Sequence, residues 1–295
     1  MCNFLSAIVL KNLDVIWDLK YPEQHEELIK KYNLVDDKIG LYLERFCRVK
    51  FIPSNLNELR NKDNWNLNID ENSTPNWFDE AIITNKLWII ISNMFVQGER
   101  GFLEKGCFIL LDGAEVEDVN NCNIPYMVGN SKVGAMWGSS KVWTIEGDSK
   151  IKDMRENSKV ENMQENSKVE NMQENSKVKN MQENSKVEVM KGNSKVGIMK
   201  GNSKVRVMRG NSKIEDMWGN SKVGIMKGNS KVGIMWENSK VRVMWGNSKV
   251  RVMWGNSKIE DMRENSKVEV MKGNSKVGIM KGNSKVRVMS GRILK

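Results

Sequence analysis

Few side chains in this sequence are of the types that perform catalysis. His25 is the one histidine, and the four cysteines are Cys2, Cys47, Cys107 and Cys122. A serine or cysteine nucleophile needs a neighbouring base, and His25 stands beside two glutamates on a predicted helix, where a solvated surface histidine is expected. The cysteines have neither CxxC spacing nor a metal-ligand cluster, which indicates buried free thiols in a reducing compartment. We therefore expect no enzymatic activity, no cofactor and no metal.

A second set of side chains suits binding. Lysine recurs every nine residues from Lys132 to Lys285, and tryptophan, arginine and lysine lie close together in residues 236–258. Regularly spaced cations attract polyanions such as nucleic acid, and exposed aromatic rings stack on bases or bind a protein. The candidate binding residues are Trp236, Trp245, Trp254, Arg242, Arg251, Lys240, Lys249 and Lys258.

The recurring lysines and the tryptophans also have a structural interpretation. The lysines can form a soluble face that resists sheet-to-sheet aggregation. The tryptophans can form an aromatic column that stacks along a rod and covers lysine stems. If they instead stack on bases, replacing Trp236, Trp245 and Trp254 by alanine abolishes nucleic-acid binding.

These residues belong to a nine-residue repeat, G/E-N-S-K-V-x-x-M-x, which occurs eighteen times between residues 129 and 290. Position 3 is always Ser, position 4 is always Lys, and position 8 is Met in every copy except that of Ile145. A fixed period indicates one structural unit stacked many times. Calcium-binding repeats of this length need acidic GGxGxD-type turns, which the G-N-S-K turn lacks.

The period predicts a parallel β-solenoid preceded by a small α+β domain, a mainly β fold. Ser-Lys-Val alternates as a strand with Lys outward, and the chain must bend before Met because positions 5 and 8 cannot share one face of a straight strand. Position 1 is Gly or Glu, so we expect no positive φ there and place the corner at the Asn of position 2. Asn side chains are expected to bond to their equivalents one coil away.

The number of repeats per coil is either two or three. Two give an 18-residue coil and three give a 27-residue coil. Residues 201–245 match residues 246–290, a duplication of five units. An odd number of units exchanges the two faces of a two-unit coil, so all units must be geometrically equivalent. We prefer two units per coil, and we expect degenerate copies of the repeat at residues 113–119 and 121–127.

The domain boundary is expected near residue 106. Residues 1–106 predict an α+β head, and residues 107–295 predict the solenoid, with clean repeats at 129–290. In the head we expect a hairpin at 7–17, helices at 22–32 and from Thr74-Pro75 to about Val96, and strands at 46–52, 65–69 and 108–111. The second helix would present Phe78, Ile82, Ile89 and Phe95 to the core. Capping the first coil is one role for the head, and binding is the other.

Charge is divided unevenly along the chain. Residues 1–128 carry 13 Lys or Arg against 20 Asp or Glu, whereas residues 129–295 carry 34 against 17. The basic half attracts polyanions. Residues 4–10 lack the features of a signal peptide, and the apolar run at 87–91 is too short to span a bilayer. We expect a cytoplasmic protein with no membrane contact, in the host cytosol if a phage encodes it.

A partner is also expected at the C-terminal end of the array. The register stops at Ser290, and the five residues that follow include Ile293 and Leu294. An open β edge is prone to pairing. We therefore expect a homodimer that pairs the last coils, with Ile293 and Leu294 in the contact.

The sequence resembles uncharacterised nonapeptide-repeat proteins of bacteria, phages and mobile elements. The similar parts are the units GNSKVGIMW and ENSKVENMQ and the preceding segments SAIVLKNLDVIWDLK, HEELIKKYNL and TPNWFDE. Leu13 stands where similar chains often have Gly. The resemblance implies a β-solenoid and a phage or mobile-element factor that binds a host protein, and it implies no particular site residue.

Three functions follow as hypotheses. The first is a non-enzymatic interaction scaffold with a protein partner. The second is a solenoid that binds nucleic acid or another polyanion through its Lys and Trp columns. The third and least favoured is an enzymatic head, which needs a pocket with convergent polar groups.

Overall fold

A computed structural model describes residues 5–18, 24–35, 38–39, 42–43, 45–71 and 73–290. The chain forms two compact units, Met1–Val96 with Gly106–Leu111, and Gln97–Lys105 with Asp112–Lys295. The elements up to residue 110 are β1 (Leu5–Leu10), β2 (Val15–Ile16), α1 (His25–Lys31), β3 (Lys38–Ile39), β4 (Tyr42–Leu43), β5 (Phe46–Pro53), two 3₁₀ turns (Leu56–Glu58 and Lys62–Asn64), β6 (Trp65–Ile69), α2 (Glu80–Ser92), β7 (Phe95–Val96), β8 (Glu99–Glu104) and β9 (Ile109–Leu110).

The first unit is a small α+β domain, as the sequence predicted. Its antiparallel sheet has the order β2-β1-β5-β6. Ile8, Leu28 and Phe46 are buried together and join α1 to this sheet. The hairpin between β1 and β2 turns at Leu13, whose φ is 65°. That left-handed conformation favours Gly and is uncommon for a residue with a Cβ.

The second helix differs from its prediction at both ends. It begins at Glu80, because the Asp79 side chain accepts a hydrogen bond from the Ile82 N–H at 3.0 Å and caps it. It ends at Ser92, and Phe95 belongs to strand β7. Its buried residues are Ile83, Leu87 and Ile91. The predicted apolar face was therefore wrong: Ile82 and Ile89 are exposed, and Phe78 precedes the helix.

The second unit is a parallel β-solenoid. Its strands after β8 are β10 (Glu115–Asn120), β11 (Asn123–Met127), β12 (Lys132–Trp137), β13 (Lys141–Ile145), β14 (Lys150–Met154), β15 (Lys159–Met163), β16 (Lys168–Met172), β17 (Lys177–Met181), β18 (Lys186–Met190), β19 (Lys195–Met199), β20 (Lys204–Met208), β21 (Lys213–Met217), β22 (Lys222–Met226), β23 (Lys231–Met235), β24 (Lys240–Met244), β25 (Lys249–Met253), β26 (Lys258–Met262), β27 (Lys267–Lys272), β28 (Lys276–Met280) and β29 (Lys285–Ser290). Even-numbered strands from β8 to β28 form one sheet, the even sheet, and odd-numbered strands from β11 to β29 form the other, the odd sheet. No helix among the described residues is long and apolar enough to cross a membrane.

In the clean repeats, the residues at positions 4, 5, 7 and 8 pair with residues eighteen positions further on. Lys204 pairs with Lys222 and Lys222 with Lys240 on the even sheet. Trp236 and Trp254, likewise eighteen apart, stack on each other. The prediction of two repeats per coil is therefore confirmed. Odd and even sheets repeat the same five-residue strand, so consecutive units are geometrically equivalent, as the five-unit duplication required.

The solenoid begins earlier than the clean repeats. Strand β11 pairs in register with β13, and β10 pairs with β12 one residue out of phase, which confirms both degenerate copies. Strand β8 adds a further coil that the repeat does not reveal, because Glu99 pairs with Glu115 at a spacing of sixteen. Glu99, Arg100 and Gly101 belong to this strand.

The interior contains positions 3, 5 and 8 of the repeat. Met208, Met217 and their equivalents through most of the array are fully buried, as are the Val or Ile of position 5 and the Ser of position 3. Position 6 is missing from the strand pairings, which places the bend of the chain between the inward positions 5 and 8. Flexible Met side chains fill the narrow space between the two sheets.

The corner lies at position 1, so its predicted place at position 2 was wrong. All eighteen residues at position 1 have φ between 52° and 70°, including glutamates such as Glu156 and Glu174. A residue with a Cβ loses about 1–2 kcal/mol in this conformation. Five of the six glutamates gain a hydrogen bond in return: the Glu174 carboxylate accepts from the Glu156 N–H at 2.9 Å, and Glu156 accepts from the Gly138 N–H. Such charged hydrogen bonds are worth about 1.5–3 kcal/mol and offset the cost of the left-handed conformation. Glu237 has the same conformation without this hydrogen bond among the described residues.

Asparagine at position 2 forms a ladder between coils, as predicted. The Asn211 amide donates to the Asn193 side-chain oxygen at 3.4 Å, and Asn229 donates to Asn211 at 3.3 Å. Their backbone N–H groups also reach the preceding coil, where the Asn211 N–H donates to the Gly192 carbonyl. Position 2 therefore ties one corner to the next.

The buried serine column divides into bonded and unbonded hydroxyls. The Ser140 hydroxyl donates to the Trp137 or Val119 carbonyl and accepts from the Cys122 N–H. The Ser203 hydroxyl is equally buried and has no hydrogen-bond partner among the described residues. A buried hydroxyl without a partner costs about 1–3 kcal/mol.

We expect Ser140→Ala and Ser203→Ala to change stability in opposite directions. Ser140→Ala leaves a buried N–H unbonded and should destabilise the solenoid by about 1–3 kcal/mol, whereas Ser203→Ala should be neutral or stabilising. Urea denaturation of the two variants measures both. An equal loss in the two would mean that the Ser203 hydroxyl is bonded in solution.

Candidate functional site

The invariant lysines form one column on each sheet. Each lysine begins a strand, and from Lys150 onward its N–H donates to the carbonyl of a serine in the preceding coil, as Lys222 does to Ser203 at 3.0 Å. The side chains point away from the interior, and consecutive lysines lie one coil apart, about 4.8 Å. Like charges at this spacing repel unless acidic side chains or an anionic partner offset them.

Two segments of the array differ in net charge, although the net charge of the whole array does not show it. Residues 147–191, the neutral segment, carry nine Lys or Arg and nine Asp or Glu. Residues 192–254, the basic segment, carry thirteen Lys or Arg and three Asp or Glu, a net charge of +10. The two segments share one backbone and one repeat, so they differ chiefly in what they attract.

In the neutral segment, glutamates at position 6 pair with two of the five column lysines, and Lys159, Lys177 and Lys186 have no ion pair among the described residues. Lys150 lies 3.1 Å from Glu170, and Lys168 lies 3.2 Å from Glu188. Burial alone would raise the pKa of Glu188, but its hydrogen bonds with Lys168 and Arg206 hold the pKa below the usual value of a glutamate. The Glu188 carboxylate therefore stays ionised at neutral pH and offsets the lysine charge locally.

In the basic segment most lysines of the column lack such a partner. Lys213 pairs with Glu215 at 3.5 Å, and Lys249 pairs with Glu269. The remaining members have no carboxylate within ion-pair distance among the described residues, and they are Lys195, Lys204, Lys222, Lys231 and Lys240. Lys204, Lys222 and Lys240 are consecutive on the even sheet, and they belong to a row of six column lysines, from Lys186 to Lys276, that have no ion pair among the described residues.

Three tryptophans stack along one edge of the solenoid. Trp218 and Trp236 have ring centroids 5.0 Å apart, and Trp236 and Trp254 are 5.4 Å apart, with planes within 18° of parallel. Lys272 lies over the Trp254 ring at 4.8 Å. Both faces of Trp236 and of Trp254 are thus covered by neighbours in the array.

Trp245 lies at the opposite edge, as a two-unit coil requires. Lys227, one coil before it, lies 5.2 Å from its ring centroid, and Arg263, one coil after it, lies at 5.1 Å. Cation–π contacts therefore occupy both of its faces. The arrangement matches the structural interpretation of the tryptophans, because a base cannot stack on a ring whose faces are taken.

The structure does not bring the eight candidate residues to one place. Lys240, Arg242 and Lys258 lie on the even sheet, whereas Lys249 and Arg251 lie on the odd sheet. Trp236 and Trp254 share one edge, and Trp245 is at the other. Ile293 and Leu294, the candidate dimer residues, lie outside the described residues.

Sequence reasoning missed the basic residues that the even sheet groups together. Lys204, Lys222 and Arg206 belong with Lys240 and Arg242 on one face, around Gly224. These residues are eighteen or thirty-six positions apart. Reading positions 4 and 6 at every second repeat reveals them, but only once two repeats per coil are established.

The head places its single histidine differently from the prediction. His25 is 7% exposed, so the expectation of a solvated surface histidine was wrong. Its Nε2 donates to the Val49 carbonyl at 2.9 Å, and its Nδ1 lies 3.4 Å from an Asp70 carboxylate oxygen. Burial lowers the pKa of His25 despite these contacts. The ring therefore serves as a packed link between α1 and β5.

The described cysteines are buried free thiols. Cys47, Cys107 and Cys122 are all buried, and Cys2 lies outside the described residues. Burial, with the nearby Glu71 charge, raises the pKa of Cys47 to about 12. A thiol of this kind is not ionised at neutral pH. Within the described residues, no three or more His, Cys, Asp or Glu side chains are grouped so that they could hold a metal ion.

No family model, curated protein or solved structure matches the chain. Function must therefore be inferred from the columns themselves.

Proposed function

We propose that the protein is a non-enzymatic binding scaffold whose basic segment holds an anionic polymer, with nucleic acid as the favoured partner. The observation that supports the proposal best is the row Lys204, Lys222 and Lys240. These three charges stand one coil apart on the even sheet, and no ion pair compensates them among the described residues. A phosphate backbone offsets their mutual repulsion and releases its own counterions.

The proposal implies recognition of charge without recognition of sequence. Hydrogen-bonded coils hold the backbone of each lysine at a fixed spacing, so little backbone conformational entropy is lost when a polymer binds. The ring faces of Trp236, Trp245 and Trp254 are occupied, so base stacking contributes little. Affinity then depends on the backbone charge of the ligand and on salt.

Fluorescence anisotropy with a labelled single-stranded oligonucleotide tests the proposal. If about four phosphates are neutralised, raising sodium chloride from about 50 to about 200 mM should weaken binding by about 50-fold. Oligonucleotides of different sequence should bind within about threefold of one another. Affinity that does not change with salt, or no binding at about 50 mM salt, would refute the proposal.

A protein partner is the second candidate. It is favoured by the last described coil, which exposes residues that are buried elsewhere in the array. Met280 is 43% exposed and Met289 is 50% exposed. We propose a homodimer that covers this coil, and light scattering at micromolar concentration distinguishes it from a monomer.

A further inference from the structure

Position 6 of the even sheet has a symmetric order of side chains in the middle of the array. Five consecutive coils carry Glu188, Arg206, Gly224, Arg242 and Glu260 at this position. Two arginines thus flank a glycine, and two glutamates lie beyond the arginines. Among the position 6 glycines of the clean repeats, Gly224 is the one whose neighbours a coil before and a coil after are both arginine.

A cleft of about 570 Å³ opens over Gly224. Lys204, Lys222 and Lys240 line it on one side, the two arginines lie at its ends, and Val207 and Ile225 contribute apolar surface. The two arginines are two coils apart, about 10 Å, a distance that long side chains can close around a small anion. With Lys186, the lining has six cations against two carboxylates, Glu188 and Glu260, so the cleft has a net positive charge.

The two arginines have donors to spare. Arg206 donates from Nε to a Glu188 carboxylate oxygen at 2.7 Å, which holds the guanidinium in place. Its two terminal amino groups and the whole Arg242 guanidinium have no hydrogen-bond partner among the described residues. A guanidinium with free terminal groups matches the oxygen pairs of a phosphate.

Gly224 keeps the gap open. A Cβ at this residue would lie 2.4 Å from the Arg206 carbonyl oxygen, so the backbone here suits a residue without a side chain. The surrounding units carry Arg or Glu at the same position, and their side chains extend over the sheet. Absence of a side chain at Gly224 alone leaves room between the two arginines.

We infer that this Arg-Gly-Arg cleft is a discrete phosphate-binding site, which takes one or two phosphate groups of a polymer or of a small phosphorylated molecule. This inference deepens the proposed function, because it says where on the basic segment a phosphate backbone is held most tightly. The lysine row attracts the polymer along its length, and the cleft fixes it by hydrogen bonds from two arginines.

Isothermal titration of the full chain with inorganic pyrophosphate tests the cleft without a polymer. We expect one saturable site, and Arg206→Gln or Arg242→Gln should each weaken it by about tenfold or more. Arg251→Gln is the matched control. Arg251 occupies position 6 of an otherwise nearly identical unit on the odd sheet, so pyrophosphate affinity should stay within about twofold.

Equal losses in Arg242→Gln and Arg251→Gln, or no saturable binding of pyrophosphate, would overturn the cleft. The oligonucleotide assay separates this failure from failure of the proposed function. If oligonucleotide binds with the expected salt dependence but Arg206→Gln and Arg242→Gln weaken it no more than Arg251→Gln does, the cleft is wrong and the scaffold function stands. If pyrophosphate saturates the cleft but no oligonucleotide binds, the cleft stands and the proposed nucleic-acid function is wrong.

Discussion

Replacing Met208 by alanine should destabilise the solenoid by about 2–5 kcal/mol. Met208 is fully buried on β20, between sheets whose other inward residues are Val, Ile, Ser and Met. Truncation removes the apolar contacts of the thioether and leaves a cavity, and hydrogen-bonded coils on both sides restrict collapse into it. Urea denaturation monitored by circular dichroism measures the loss.

Met280→Ala is the control for this prediction. Met280 occupies the same position of the repeat on β28, but it is 43% exposed in the last described coil. Its truncation should cost less than about 1 kcal/mol, because little buried surface is lost. Each coil of a repeat protein contacts only its neighbours, so the two substitutions should destabilise different parts of the array, the middle for Met208→Ala and the last coil for Met280→Ala. Similar losses for Met208→Ala and Met280→Ala would show that the last coil is covered in solution.

Replacing Lys204, Lys222 and Lys240 together by glutamine should weaken oligonucleotide binding by about 30-fold or more at about 100 mM salt. Each lysine that contacts a phosphate contributes about 0.7 to the slope of log affinity against log salt for a single strand, so the slope should fall by about 2. The fold should persist, because glutamine keeps most of the side chain and removes a repulsion. Anisotropy over a salt series gives both quantities.

The matched control replaces Lys132, Lys150 and Lys168 by glutamine. These lysines occupy the same position on the same sheet, and the charge change is identical, but each already pairs with a glutamate. Their loss should change affinity by less than about threefold. If both triple variants weaken binding equally, the ligand responds to net charge alone and the basic segment is not a site.

The 45-residue duplication shows why the cleft has no second copy. Arg206 and Gly224 correspond to Arg251 and Glu269 in the second half. Five units are an odd number, so the copy of Arg206 falls on the odd sheet, beside Gly233 on one side and Glu269 on the other. The two halves are therefore similar in sequence, but the second half does not reproduce the Arg-Gly-Arg arrangement.

The head illustrates how far single-residue patterns reach. Strands β5 and β6 lie where alternation predicted them, because alternating burial is a local property. The second helix was misplaced because its start was assigned to Thr74-Pro75, whereas Asp79 caps it by accepting a hydrogen bond from the Ile82 N–H. His25 was taken for a surface residue because its charged neighbours on α1 give no sign of the strand packed over it.

By itself the sequence determined the solenoid, the inward Ser, Val and Met columns, the outward lysines and the asparagine ladder. Each of these features depends on residue type at an invariant spacing, so it can be predicted from the sequence pattern. Only the tertiary structure decided the corner at position 1, the covered faces of Trp236 and Trp245, and the cleft at Gly224. The reason is that these depend on residues eighteen or thirty-six positions apart: five of the six glutamates in the left-handed region bond to an N–H of the coil before, and two arginines form a site only when the coil length places them on one sheet.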